Sequence, residues 1–267
     1  IDWADMDKDG PLCAEQMLYA ACFRVMAEIS KQLGKDGNVY RQEYEKLTAA
    51  IEKFFWDEEK GAYIDSFTSG KRNVTRHANI LAILFDIADK QKQEKILTNV
   101  LENDEIPAIT TPYFNFFELD VLCQMGKLTE VLDKIRSYWG GMLDLGAVTF
   151  WEEYDPSVPR EEQYDMYGDH FGKSLCHAWA ASPIYFLAKY FAGLDLVNKD
   201  GVTYVLKPQM QYFTDLDCTL PVGSDGTVRL AWDGECLEVT ADAEGGVLEL
   251  GEEKISLVRG ETRRVKI

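Results

Sequence analysis

Histidine is scarce in this 267-residue chain. Only His77, His170 and His177 are present, and no HExxH or comparable metal-ligand spacing occurs. The six cysteines, Cys13, Cys22, Cys123, Cys176, Cys218 and Cys236, stand singly with no CxxC pair. That removes the common zinc frameworks, and buried free thiols in a reducing compartment, the cytoplasm favoured, are the simplest expectation. Cations are in deficit: 28 Lys and Arg face 46 Asp and Glu, for a net charge of −18. Such a chain is a poor match for nucleic acid, which requires clustered Lys and Arg, or for an anionic membrane surface. No apolar run approaches the roughly 18 residues of a membrane span. The N-terminus, Ile1-Asp2-Trp3-Ala4-Asp5, lacks the basic and apolar regions of a signal peptide and also lacks an initiator Met. The expectation is a processed product or fragment whose upstream part is missing. Neither metal nor cofactor is expected.

What the chain has is helical periodicity. Residues 11–34 carry apolar side chains at Leu12, Leu18, Ala21, Cys22, Val25, Met26, Ile29 and Leu33, and Gly34 stops the pattern. Residues 38–56 repeat it with Tyr40, Tyr44, Leu47, Ile51, Phe54 and Phe55. Further helices are predicted at about 75–88, 90–103, Pro112 to Gly126, 127–138 and 173–192, with an irregular stretch from Gly140 to Gly172.

The connections alternate. Helices two, four and six follow short plain turns. Helices one, three, five and seven follow long segments rich in aromatic and polar groups: Asp2-Trp3, Arg76-His77, Thr110-Thr111-Pro112-Tyr113, Trp151-Glu152-Glu153-Tyr154, and Ser174-Leu175-Cys176-His177-Ala178-Trp179. Antiparallel hairpins joined this way gather the elaborate segments at one end, which predicts an α/α toroid with a pocket on its decorated face. After Gly193 the pattern changes to short strand-like runs between Gly-containing turns, predicting a small antiparallel β domain over 197–267.

Gly146 to Pro156 is the most chemically suggestive stretch. Carboxylates supply acid, base or nucleophile to a sugar-cleaving site, and flat rings stack on a sugar's apolar face. Glu152 and Glu153 are both available by this argument. Asp155, before Pro156, reads as a turn residue. His170 reads as structural within Gly168-Asp169-His170-Phe171-Gly172.

Ile1-Asp2-Trp3, then Gly146-Ala147-Val148-Thr149-Phe150-Trp151-Glu152, then Ser174-Leu175-Cys176-His177-Ala178-Trp179, in that order, resembles the bacterial α-L-rhamnosidases of glycoside hydrolase family 78. Leu206-Lys207-Pro208-Gln209 and the Pro221-to-Trp232 hairpin look like the family's β tail. The resemblance implies a mainly α chain with a β tail: part of a six-hairpin α/α barrel over 1–196, then a β-sandwich over 197–267. It implies an inverting glycosidase for terminal α-L-rhamnose, with Glu152, rather than Glu153, as general base. Val148 departs from the family's usual Thr in this motif. The family's general acid lies upstream of the Asp-Trp motif, so the acid is expected outside this chain. His177 takes the family's SxxH position, one turn into the last predicted helix, and is expected to touch substrate or the base.

Asp2, Trp3, Arg76, His77, Tyr113, Trp151 and Trp179 complete the expected substrate-binding set. The expected partners are a rhamnoside and either upstream polypeptide or a second copy covering the exposed barrel face. The alternatives are a toroid hydrolase for another neutral sugar, or a scaffold that binds carbohydrate or protein without catalysis.

Overall fold

In the computed structural model, which describes residues 2–199 and 201–267, α1 (Cys13–Gln32) and α2 (Asn38–Phe55) pack as the first hairpin. α3 (Arg76–Leu84), α4 (Lys90–Ile96) and α5 (Pro112–Gln124) follow. α3 packs against α1, α4 and α5. Burial sorts these helices into two kinds. α3 is buried at every position from Arg76 to Ile83, and α5 buries most of its length. In α2 only Ile51 and Phe55 are buried, and in α4 only Ile96. The sequestered α3 and α5 are both reached through long segments, whereas α1, also preceded by one, buries only six of its 20 residues. A two-stranded ribbon, β1 (Trp56–Asp57) with β2 (Ala62–Tyr63), braces the segment ahead of α3.

Several helix limits differ from expectation. α3 stops at Leu84 rather than near 88, because Asp86 adopts φ +52° and the amides of Ile87 and Ala88 turn back to Ala82 O. Asp is among the residues that tolerate this left-handed conformation. α4 continues as a π turn, Leu97–Leu101. α6 (Leu128–Lys134) likewise continues as the π turn Ile135–Trp139. A further short helix, α7 (Gly140–Asp144), occupies the start of the stretch read as irregular.

The largest correction concerns the last predicted helix. Residues 173–177 are not helical, because their backbone is committed elsewhere: Glu152 N donates to Ser174 O and His177 N to Phe150 O. A 3-10 turn, Ala178–Ala180, precedes the short α8 (Ser182–Phe186), which continues as the π turn Leu187–Phe191. Pro183 sits in the first turn of α8, where its missing N–H costs nothing.

The chain divides into two compact units, 1–126 with 138–180 and 127–137 with 181–267. In the second, β3 (Leu194–Lys199) begins ahead of the expected boundary at 196/197. Gly193 allows that start: its φ is +74°, and a Cβ there would lie 2.2 Å from Lys207 O. β4 (Val202–Leu206), β5 (Leu216–Val222), β6 (Gly226–Trp232), β7 (Cys236–Asp242), β8 (Gly246–Leu250), β9 (Glu253–Leu257) and β10 (Thr262–Lys266) follow.

Two four-stranded sheets result, ordered β10-β7-β6-β5 and β3-β4-β8-β9. The first is antiparallel, and Pro221 lies on its edge strand β5, where a missing donor is tolerated. The second is mixed, not antiparallel as expected, because β4 pairs parallel to β8 (Tyr204↔Gly246, Leu206↔Leu248). Parallel neighbours need a crossover, and β5 to β7 form it. Strict alternation buries Leu237, Val239 and Ala241 of β7 in one core with Tyr204, Leu206 and Leu248 of the mixed sheet.

Candidate active site

Four segments of the first unit bring the candidate residues together: the N-terminal stretch, the starts of α3 and α5, and the long loop 145–177 with the 3-10 turn after it. Asp2 ties three of these. Its Oδ2 lies 2.8 Å from His77 Nε2 at the head of α3. Both carboxylate oxygens accept from Thr111 Oγ1 at 3.0 Å, and Oδ1 accepts from Trp3 N at 2.9 Å. Thr111 caps α5, accepting from Phe114 N, and the His77 ring packs on Phe114 at 4.3 Å. Burial alone pushes the Asp2 carboxyl upward. Hydrogen bonds from His77 and Trp3 N–H, with the His77 charge and Thr111, outweigh it and leave the carboxyl below its ordinary value.

Glu152 is held by the loop itself. The ladder between 150–152 and 174–177 turns its side chain so that Oε2 accepts from Ser174 N at 3.0 Å. Oε1 accepts from the Tyr167 hydroxyl at 3.3 Å. His177 Nδ1 is 3.9 Å from Oε2, close enough for charge complementarity but outside hydrogen-bond range. The Glu152 residue is 7% exposed.

Aromatic rings adjoin this carboxylate. His177 packs on Trp179 at 4.3 Å, Trp179 on Tyr113 at 5.2 Å and on Trp3 at 5.7 Å, and Trp3 meets Tyr167 edge-on at 6.1 Å. Trp3, Tyr113, Tyr167 and Trp179 are all exposed. The surface therefore joins a carboxylate, an imidazole and a continuous run of ring faces.

Two expected substrate contacts are placed elsewhere. Trp151 is only 3% exposed and packs on Tyr164, so it is core to the loop and offers no face for stacking. Arg76 is buried and spent on structure: Nη1 donates to Glu118 Oε1 at 2.7 Å and Leu101 O at 2.9 Å, while Nη2 reaches the Asn103 and Ile106 carbonyls. It fixes the segment ahead of α5. His77 is buried and its Nε2 is engaged by Asp2, and His177 lies in the loop, not in a helix. Glu153 faces the buried Lys173 at 3.6 Å, Asp155 caps its turn through Ser157, and His170 pairs with Asp165 on the surface.

Sequence reasoning missed Tyr167 and the Ser174 amide. A backbone donor leaves no mark in composition. The signal for Tyr167 was a bulky residue before Gly168 in a turn. Among the described residues no group of three or more His, Cys, Asp or Glu could hold a metal ion.

Residues 1–191 match the profile of the bacterial alpha-L-rhamnosidase 6 hairpin glycosidase domain. The chain belongs to this family. Solved rhamnosidases share its fold. The GH78 family rhamnosidase of Bacillus sp. GL1 superposes with a TM-score of 0.77 at 23% identity, over 94% of this chain and 28% of that one. The rhamnosidase from Klebsiella oxytoca with rhamnose bound gives a TM-score of 0.60 at 30% identity, over 71% of this chain and 36% of that one. The Streptomyces avermitilis alpha-L-rhamnosidase complexed with L-rhamnose gives 0.65 at 17%, over 92% and 24%. The chain thus spans 24% to 36% of the length of these rhamnosidases. No curated protein matches it.

Proposed function

We propose that this chain forms part of an inverting glycoside hydrolase that removes terminal α-L-rhamnose, with Glu152 as general base. The observation that carries the reading is the setting of Glu152: a nearly buried carboxylate, fixed by one donor on each oxygen, next to exposed rings. A carboxylate offers about four acceptor positions, so two fixed donors leave room for a water. Glu152 would take that water's proton as the oxygen attacks the anomeric carbon. Trp3, Tyr113 and Trp179 would stack on the apolar face of the ring and on its methyl group. His177 would donate to a sugar hydroxyl or support the charge on Glu152.

The leaving oxygen needs a proton from a second carboxyl roughly 6.5–9.5 Å from the base. Asp2 is unsuited to that role. Its carboxyl is held below the usual range and its oxygens are engaged by His77, Thr111 and Trp3, so it stays ionised at neutral pH. We assign the acid to polypeptide upstream of this chain, as the family resemblance implies. In this reading the helices up to about residue 196 are a portion of the catalytic barrel, and the β sheets are its structural partner.

The test is the stereochemistry of the first-formed product. Proton NMR of the natural full-length polypeptide with an aryl α-L-rhamnoside should show the β anomer first, followed by mutarotation. Release of the α anomer, or no cleavage of α-L-rhamnosides alongside cleavage of another sugar, would overturn the reading.

A further inference from the structure

Tyr167 occupies a position that neither backbone preference nor burial explains. Met166 and Asp169 exchange both backbone hydrogen bonds, each 3.0 Å, closing a two-residue turn. The central residues, Tyr167 and Gly168, have φ of +55° and +86°. Positive φ at both positions is the preference of Asn-Gly, and a β-carbon as bulky as tyrosine's is disfavoured at the first. The ring is also 72% exposed, so burial returns little for that conformation. What the turn achieves is placement: the hydroxyl meets Glu152 Oε1 at 3.3 Å, and the ring stands edge-on to Trp3.

We propose that Tyr167 is a positioning residue for Glu152 and, with Trp3, one wall of the sugar site. The proposal rests on the reading of Glu152 as base. The Ser174 amide holds Oε2 and Tyr167 holds Oε1, so the carboxylate plane is pinned from both ends. With either donor gone the plane rotates about its last torsion, and the oxygen facing the water loses its aim. The phenol of Tyr167 is shifted upward, by desolvation first and then by the charge and hydrogen bond of Glu152, so it stays protonated and keeps its O–H for Oε1. A disfavoured backbone conformation kept at such a contact is where function is expected to act against local stability.

Three variants of the natural full-length polypeptide separate the possibilities, each measured by steady-state hydrolysis of an aryl α-L-rhamnoside and by thermal melting. Tyr167→Phe keeps the ring and loses the hydroxyl; kcat should fall about ten-fold or more, the worth of one hydrogen bond to a charged group, with KM nearly unchanged. Tyr167→Asn removes the ring but suits the turn, so KM should also rise about five-fold while the melting temperature equals or exceeds that of the wild type. Tyr167→Phe with wild-type kcat, or melting losses that run parallel to the activity losses in both variants, would overturn the proposal. Glu152→Gln tells the two claims apart. An inactive Glu152→Gln beside a fully active Tyr167→Phe defeats only the role of Tyr167. A fully active Glu152→Gln defeats the base reading and this proposal with it.

Discussion

Replacing Arg76 by Met should damage stability and leave sugar affinity nearly intact. The Arg76 and Glu118 side chains are 8% and 2% exposed, and the guanidinium also serves the Leu101 carbonyl at 2.9 Å. Met preserves much of the aliphatic stem but strips Glu118 of this counter-charge. Removing one partner of a buried pair costs about 3–5 kcal/mol. The contacts to Asn103 O and Ile106 O, at 3.4 and 3.3 Å and only part-buried, add little. Set against a total stability of roughly 5–15 kcal/mol, the loss is large. At about 2–4 °C per kcal/mol for domains of this size, melting should drop by on the order of 10 °C. Urea unfolding followed by circular dichroism supplies the free energy, and tryptophan fluorescence titrated with L-rhamnose supplies the affinity. The double variant Arg76→Met/Glu118→Leu should recover part of the loss, since the buried carboxylate that has lost its guanidinium is then removed as well. A single variant that melts within about 2 °C of wild type yet loses rhamnose affinity would refute the reasoning and return Arg76 to the binding surface.

Two further outcomes follow from neighbouring geometry. The Asp2 carboxyl is lower in the folded state than unfolded, so its stabilisation is present above the unfolded value of about 3.9 and disappears as pH falls through the folded value. Asp2→Asn should therefore melt below wild type at pH 7, with the gap closing below about pH 4; a gap that is constant with pH would contradict the linkage. Gly141→Ala would set a β-carbon 2.4 Å from the Tyr154 hydroxyl and 2.6 Å from its ring, pushing on the loop that carries Glu152. Overpacking of this kind costs about 1–3 kcal/mol, and both melting temperature and turnover should fall, as scanning calorimetry and initial rates would record.

Much of this architecture is written in periodicity and punctuation. The existence of α1 and α2 and Pro112 at the start of α5 follow from local chemistry and reappear in the fold. The expected apolar stripe of α1 is not its buried face: Leu18, Val25, Met26, Ile29 and Leu33 are exposed while Cys13, Met17 and Ala20 are buried. Cys22 and Cys176, expected as buried thiols, are exposed. What stayed hidden depends on distant partners. Residues 173–177 carry an apolar pattern compatible with a helix, yet their backbone bonds to Phe150 and Glu152. Arg76 opens α3 beside His77, and nothing local reveals that it turns to Glu118 while His77 turns to Asp2. Trp151 and Trp179 are the same residue type in similar company, and one is core while the other is exposed. The parallel pairing of β4 with β8 is a crossover, set by the order of strands in space and invisible in the alternation of either strand.

The central claim is that the Glu152 carboxylate acts as the general base. The most direct measurement is the kcat of Glu152→Gln in the natural full-length polypeptide on an aryl α-L-rhamnoside, with L-rhamnose affinity measured in parallel. General-base catalysis is worth roughly 10²–10⁴ in rate. The account predicts a loss of that order with sugar binding retained, because the amide keeps the shape and loses the basic oxygen. Turnover within a few-fold of wild type would contradict it.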